Sequence, residues 1–262
     1  MDFSIISVFL DKSQNYTGNT AAVILLKDEW SAQKMQLLAA DFNQPATVFL
    51  LPGDKENHYS VRWFAPDAEI GFCGHGSMAA VAYINQKFKT QEDIVLHYPH
   101  GEIYGRAEAN GKGSIKVKAI SDFNEIEVPG ILPEALGVPV KKYYKVANKD
   151  IVLLENESSV KNLLPVYSKL RELKTFGFIV TAPGDAVDFV SRTFIPHFQQ
   201  LEDPATGSSH AALAPFWSQK LNKDHLVAHQ LSKRGGKFIC KIENEEVILI
   251  GDYSVLASGE IF

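Results

Sequence analysis

Two short segments place titratable side chains where helices are expected to begin. Phe72-Cys73-Gly74-His75-Gly76-Ser77 runs into one alanine-rich stretch, and Asp203-Pro204-Ala205-Thr206-Gly207-Ser208-Ser209-His210 runs into another. Small residues and hydroxyls at a helix start leave backbone N–H groups aimed outward, and the helix dipole adds partial positive charge there. Such an end holds an anion, most simply a carboxylate or phosphate. Two of them, built on Gly74, Gly76 and Ser77 in one segment and on Gly207 and Ser208 in the other, are expected to clamp one small carboxylate-bearing metabolite. His75 stands between two glycines that offer it no shielding, and an imidazole there can donate to a ligand or shuttle a proton near neutral pH. Asp203 precedes Pro204, which biases it toward an extended conformation suited to a general base or to holding His75. The competing reading makes Ser77, Thr206 and Ser208 ordinary caps, His75 a loop histidine bonded to a nearby carbonyl, and Asp203 a cap for the next turn.

The elements that must position these segments are legible from periodicity. Residues 4–10, 19–26, 47–51, 59–64, 94–98 and 114–119 read as strands, and Met35, Leu38 and Phe42 mark one face of a helix capped by Asp28 or Ser31. Residues 78–84 predict a short apolar helix. The second half repeats the mixture, with strands over 143–146, 151–154, 176–182, 188–194, 237–242, 246–250 and 253–261. Its helices are expected from Pro165 to about Leu173 and from Ala211 to Lys220, the latter bent by Pro215. Hairpins dominate and helices between strands are few. The expectation is an α+β fold with mainly antiparallel sheets. The likeness of the two glycine-rich segments suggests a tandem duplication. A polar stretch over 122–133 places the boundary, giving halves of 1–121 and 122–262 with the last strand returning to the first half.

Composition excludes several classes. The 262 residues are 45 % apolar and 22 % charged, as in a soluble globular protein, and a net charge of −5 gives no reason to expect nucleic acid or an anionic membrane. The first ten residues lack the basic region and cleavage site of a signal peptide, and no apolar run approaches a bilayer span. Cys73 and Cys240 make no disulfide framework, so a cytoplasmic protein with reduced thiols is expected. No nucleotide-binding loop or hydrolase elbow is present. His97 and His100 lack partners for a metal, so no metal is expected.

Three motifs, taken in order, carry a resemblance. Gly18-Asn19-Thr20-Ala21-Ala22-Val23, then residues 62–76 from Arg62-Trp63-Phe64 to Gly74-His75-Gly76, then residues 202–209 from Glu202-Asp203-Pro204 to Ser208-Ser209 resemble the signatures of the PhzF (phenazine-biosynthesis) family. Lys233-Arg234-Gly235-Gly236-Lys237 and Ile250-Gly251-Asp252 fit its ending. The resemblance implies the diaminopimelate-epimerase-like fold: two similar halves, each a curled, mainly antiparallel sheet around a central helix, with the active site in the cleft. It implies a homodimer, no cofactor, and an isomerisation such as the proton shift on trans-2,3-dihydro-3-hydroxyanthranilate. By motif position His75 and Asp203 match the family's site residues, and Gly74 and Ser208 its substrate-binding positions.

One position departs. The family carries a glutamate acid–base in a motif resembling Ser-Glu-Thr-x-Phe, and here Asn43-Gln44-Pro45-Ala46-Thr47-Val48-Phe49 has Ala46 in its place. Alanine neither takes nor gives a proton, Gln44 does not titrate, and Asp41 lies outside the motif. A glutamate restored at a cleft position is expected to be solvated and to leave the melting temperature unchanged. Relatives that epimerise use one cysteine per half. Cys73 matches one such position, but Pro204-Ala205-Thr206-Gly207 has no second thiol, so two-thiol chemistry is not expected; Cys73 reads as buried and inert, with a lone reactive thiol as the alternative. The expected function is a cofactor-independent isomerase using His75 and Asp203. The alternative is a catalytically silent family member that binds a small metabolite or a protein partner.

Overall fold

The computed structural model describes residues 1–108, 110–147 and 149–261. The chain divides into two compact units, Met1–Val117 with Ile248–Phe262, and Lys118–Val247. Among the described residues, no helix is long and apolar enough to cross a membrane.

The first unit contains β1 (Asp2–Leu10), β2 (Asn19–Leu25), α1 (Ala32–Phe42), β3 (Ala46–Pro52), β4 (His58–Phe64), β5 (Glu69–Ile70), α2 (Gly74–Phe88), β6 (Ile94–Tyr98), β7 (Gly101–Ala107) and β8 (Lys112–Lys118). The second contains β9 (Asn124–Ile126), α3 (Ile131–Leu136), β10 (Lys142–Lys145), β11 (Lys149–Leu153), α4 (Glu157–Lys161), α5 (Tyr167–Leu170), β12 (Gly177–Pro183), β13 (Phe189–Phe194), β14 (Glu202–Asp203), α6 (Gly207–Leu221), β15 (His225–Gln230) and β16 (Gly236–Glu243). Asn244, at φ +56°, turns β16 into β17 (Glu246–Glu260), which carries the chain back into the first unit.

In the first unit the strands close on themselves. β1 pairs β2, β2 pairs β3, β3 pairs β4, β4 pairs β6, β6 pairs β7, β7 pairs β8, and β17 joins β8 to β1. The β2–β3 and β4–β6 pairs are parallel, each joined through a helix. α2 fills the ring, and its residues 74–85 are all buried. Alanines at 79, 80 and 82 keep it slim, and glycines on the strands make room for what is not. A Cβ on Gly105 would lie 2.5 Å from the Val81 side chain, and one on Gly113 would lie 2.9 Å from the Met78 sulfur. α1 covers the outside of β2, β3 and β4 through Met35, Ala39, Leu38 and Phe42 against Ile24, Phe49 and Phe64.

The second unit repeats this plan. The parallel pair β11–β12 is joined through α4 and α5, β12–β13 is antiparallel, β14 adds to β13, β15 runs parallel to β13, and β16 pairs β15. β9 and β10 extend the sheet beyond β11. α6 is the counterpart of α2, packed through Trp217 on Phe189 and Thr181. Each unit even keeps the same fork. Arg62 of β4 donates twice to Glu69 of β5 (2.8 and 2.7 Å), and Arg192 of β13 donates twice to Glu202 of β14 (2.7 and 2.8 Å). The paired rows Phe64↔Glu69 and Phe194↔Glu202 put the two forks in the same register, which supports the reading of a duplication.

Some elements differ from expectation. α5 covers only Tyr167–Leu170, and Pro165 lies before it in extended chain, where the Val166 N–H donates to Ala135 O (2.8 Å) and so is already engaged outside a helix. The tail forms one strand rather than two. Between Val8↔Tyr253 and Leu10↔Asp252, Phe9 is an extra residue at φ +59°, seated where a Cβ on Gly251 would lie 2.5 Å from its ring, so a bulge absorbs the irregularity that reads as a break. Gly18 of the first motif has a backbone reason. It adopts φ +66°, and a Cβ there would lie 2.2 Å from Val8 O. Gly18→Ala is expected to cost on the order of 2–3 kcal/mol, read as a lower urea midpoint at unchanged slope.

Candidate functional site

The α2 start is built from Cys73 onward. Cys73 is extended (φ −135°, ψ 101°), and its Sγ accepts the Gly76 N–H at 3.4 Å, so the thiol takes the capping role. Ser77 is not a cap. It sits in the first turn, where its Oγ donates to Cys73 O at 2.7 Å. His75 is 5 % exposed, so the expectation of an unshielded imidazole is corrected. Its first-turn position folds the ring over Cys73 Sγ, 3.4 Å from Nδ1 and 3.8 Å from Nε2. Gly74, His75, Gly76 and Ser77 are thus gathered at one buried helix end.

The α6 start is held differently. Thr206 is the capping residue by position but makes no side-chain cap bond. Gln230, fully buried at the end of β15, organises the loop. Its Oε1 accepts the Thr206 N–H (2.8 Å), and its Nε2 donates to Thr206 Oγ1 (3.0 Å) and to Asp203 O (2.6 Å). Ser232 Oγ donates to Pro204 O at 2.7 Å. Asp203, half-buried on β14, is held through its backbone carbonyl by Gln230. Lys149 is 6 % exposed and donates from Nζ to Ser208 Oγ at 3.1 Å. Its ammonium adds positive charge where the helix dipole already favours an anion. Sequence reasoning passed over Lys149, Gln230 and Ser232. Gln230 left a signal, because it falls on the inward face of β15 alongside Leu226 and Ala228.

Ala46 lies on β3 opposite Ala21 and on the same side of the strand as Val48, which packs at the α2 start. It is fully buried, which corrects the expectation of a solvated position. Neither neighbour substitutes for a carboxylate. Gln44 Nε2 donates to Phe42 O at 3.2 Å, and Asp41 is exposed on α1. Cys240 is buried, and burial raises its thiol well above the ordinary range. Among the described residues, no group of three or more His, Cys, Asp or Glu side chains is arranged to hold a metal ion.

His210, one turn into α6, is a structural histidine. It is fully buried, donates from Nδ1 to Thr206 O at 2.9 Å, and stacks on Phe238 with centroids 3.6 Å apart. Burial lowers its pKa from 6.5 to about 4. Because the folded value is depressed, the unfolded chain binds the extra proton. The contribution is intact above pH 6.5 and lost as the pH falls from 6.5 through about 4. The full difference comes to about 3 kcal/mol at about 1.4 kcal/mol per pH unit. The native protein is expected to lose that much more stability across this window than His210→Phe, measured by urea unfolding at each pH.

A profile of the family described as phenazine biosynthesis-like protein (PhzC-PhzF) matches residues 6–257. The chain is 34 % identical over 267 residues to an uncharacterised isomerase of Pseudomonas aeruginosa, covering 100 % of this chain and 98 % of that one. It is 32 % identical to the phenazine biosynthesis-like domain-containing protein of Homo sapiens, covering 94 % of each. The crystal structure of a putative phenazine biosynthesis PhzC/PhzF protein from Clostridium difficile superposes with a TM-score of 0.89 at 34 % identity, covering 100 % and 99 %. A probable proline racemase from Agrobacterium radiobacter, at 10 % identity and a TM-score of 0.64, covered to 92 %, shares the fold. With both central helices, the three motifs and these matches in place, the chain belongs to the phenazine biosynthesis-like (PhzF) family.

Proposed function

We propose that this protein is an isomerase that moves a proton on a small carboxylic acid without a cofactor. His75 and Asp203 handle the proton. Backbone N–H groups at the α2 and α6 starts, with Gly74, Gly76, Ser77, Gly207 and Ser208, hold the carboxylate. One group removes a carbon-bound proton, its electron pair is delocalised through the conjugated acid, and the proton returns at another carbon, so no net oxidation occurs. The observation that carries this reading is the paired construction: two fifteen-residue helices, each starting on a glycine, each with an imidazole or carboxylate within four residues of that start. The protein is also proposed to form a homodimer, expected in light scattering as twice 29.0 kDa.

A silent member that only binds its ligand is favoured by one observation, the buried Ala46 in place of the family glutamate. Incubation with a panel of small unsaturated carboxylic acids in heavy water separates the two. The isomerase incorporates deuterium at carbon into at least one acid. Acids that bind, seen by calorimetry, but never gain deuterium would leave the silent reading in place.

A further inference from the structure

The internal duplication supplies a comparison for each position at the two helix starts. The forks align Arg62-Trp63-Phe64 of β4 with Arg192-Thr193-Phe194 of β13, and the capping residues align Cys73 with Thr206. Gly76 then corresponds to Ser209, and Ser77 to His210. The last pair confirms the alignment, since Ser77 Oγ and His210 Nδ1 both donate to the carbonyl of their own capping residue.

In the second unit the equivalent of Trp63 is satisfied internally: Thr193 Oγ1 and Ser209 Oγ lie 3.0 Å apart, within hydrogen-bond distance. In the first unit the same contact is Trp63 against Gly76, and glycine has no side chain to accept. The Trp63 edge that carries its N–H faces the helix start, because a Cβ on Gly76 would lie 2.8 Å from Trp63 Cδ1, the atom bonded to Nε1, and 3.0 Å from Cys73 Sγ. Trp63 is 1 % exposed, and its Nε1 has no hydrogen-bond partner among the described residues. By contrast, the buried Trp217 donates from Nε1 to Thr181 Oγ1 at 3.0 Å. A buried indole N–H ordinarily finds a partner, and leaving one unpaired is costly.

We propose that the Trp63 indole N–H is a ligand-binding donor of the α2 start, directed at one oxygen of a small carboxylate whose other contacts are the first-turn N–H groups. Indole is a rigid, neutral, donor-only group, so it selects for an acceptor at that point and does so independently of pH. The inference rests on the reading of the α2 start as an anion site given above.

The test uses protein carrying ¹⁵N-tryptophan and ¹⁵N-glycine, titrated with acetate, benzoate and sulfate. The chain has 3 tryptophans, and the Trp63 indole signal is assigned from Trp63→Phe, or by elimination from Trp30→Phe and Trp217→Phe if the first variant does not fold. The expected result is a downfield shift of the Trp63 indole signal that saturates together with the Gly74 and Gly76 amides, and binding weakened by about tenfold in Trp63→Phe. Amides that move while the Trp63 indole stays still would overturn the donor role and leave the anion site standing. If neither the amides nor the indole respond, both fall.

Discussion

Asp203→Asn is expected to reduce carbon-bound deuterium exchange by about a hundred- to ten-thousand-fold, the range lost with a general acid or base. The substitution keeps the size of the side chain and removes only its ability to take a proton. Asp203 sits on β14, where Gln230 holds its backbone carbonyl and the neighbouring Glu202 is fixed by Arg192, and asparagine keeps a side-chain oxygen that accepts hydrogen bonds. The melting temperature is expected to move by no more than a few degrees. His75→Ala should give a loss of similar size. The double variant should be little worse than either single one, because groups that act on one proton fail as a unit. A double variant whose loss equals the product of the two single losses would mean that His75 and Asp203 act in separate steps.

Ala46→Glu is expected to have opposite effects on stability and activity. Ala46 is fully buried on the α2-facing side of β3, so a carboxylate there starts desolvated. An unpaired buried charge costs several kcal/mol, and at about 2–4 °C per kcal/mol the melting temperature at neutral pH should fall by on the order of 10 °C. The deficit should shrink toward pH 5, since protonation removes the charge and burial raises the carboxyl pKa. If the family's chemistry needs a carboxylate at this position, the same variant should exchange faster than the native protein on trans-2,3-dihydro-3-hydroxyanthranilate. A variant as stable as the native protein, at every pH, would show that the position is more open to water than its burial indicates.

Much of the fold was legible because the strands alternate or carry β-branched runs, and because turn chemistry marks their ends. β6 coincides with residues 94–98 as read from the sequence, and the Ser31 cap and the Met35 face of α1 are where the spacing put them. Two of the strands that escaped notice bury unusual residues. β7 turns Ile103, Gly105 and Ala107 inward, two of them too small to register as apolar periodicity, because the side chains of α2 need the space. β15 puts Gln230 on its buried face, where it serves the α6 loop. At the candidate site, glycines and hydroxyls marked both helix starts, but the burial of His75 and Ala46 did not show in local sequence. It comes from a closed ring of strands around α2, whose pairings join β1 to β17 across almost the whole chain. Lys149 was invisible for a similar reason, since it reaches Ser208 from a strand 59 residues earlier, whereas Trp63 lies inside the second motif and only the packing shows its N–H without a partner among the described residues.

The most direct measurement is deuterium uptake from heavy water into trans-2,3-dihydro-3-hydroxyanthranilate and a panel of related conjugated acids, native protein against Asp203→Asn, at concentrations where calorimetry shows the native protein saturated. Proton chemistry carried by His75 and Asp203 without the family glutamate predicts exchange above the protein-free background for at least one acid, lost in the variant. Saturated binding of these acids with no exchange above background, or exchange that Asp203→Asn leaves unchanged, would contradict it.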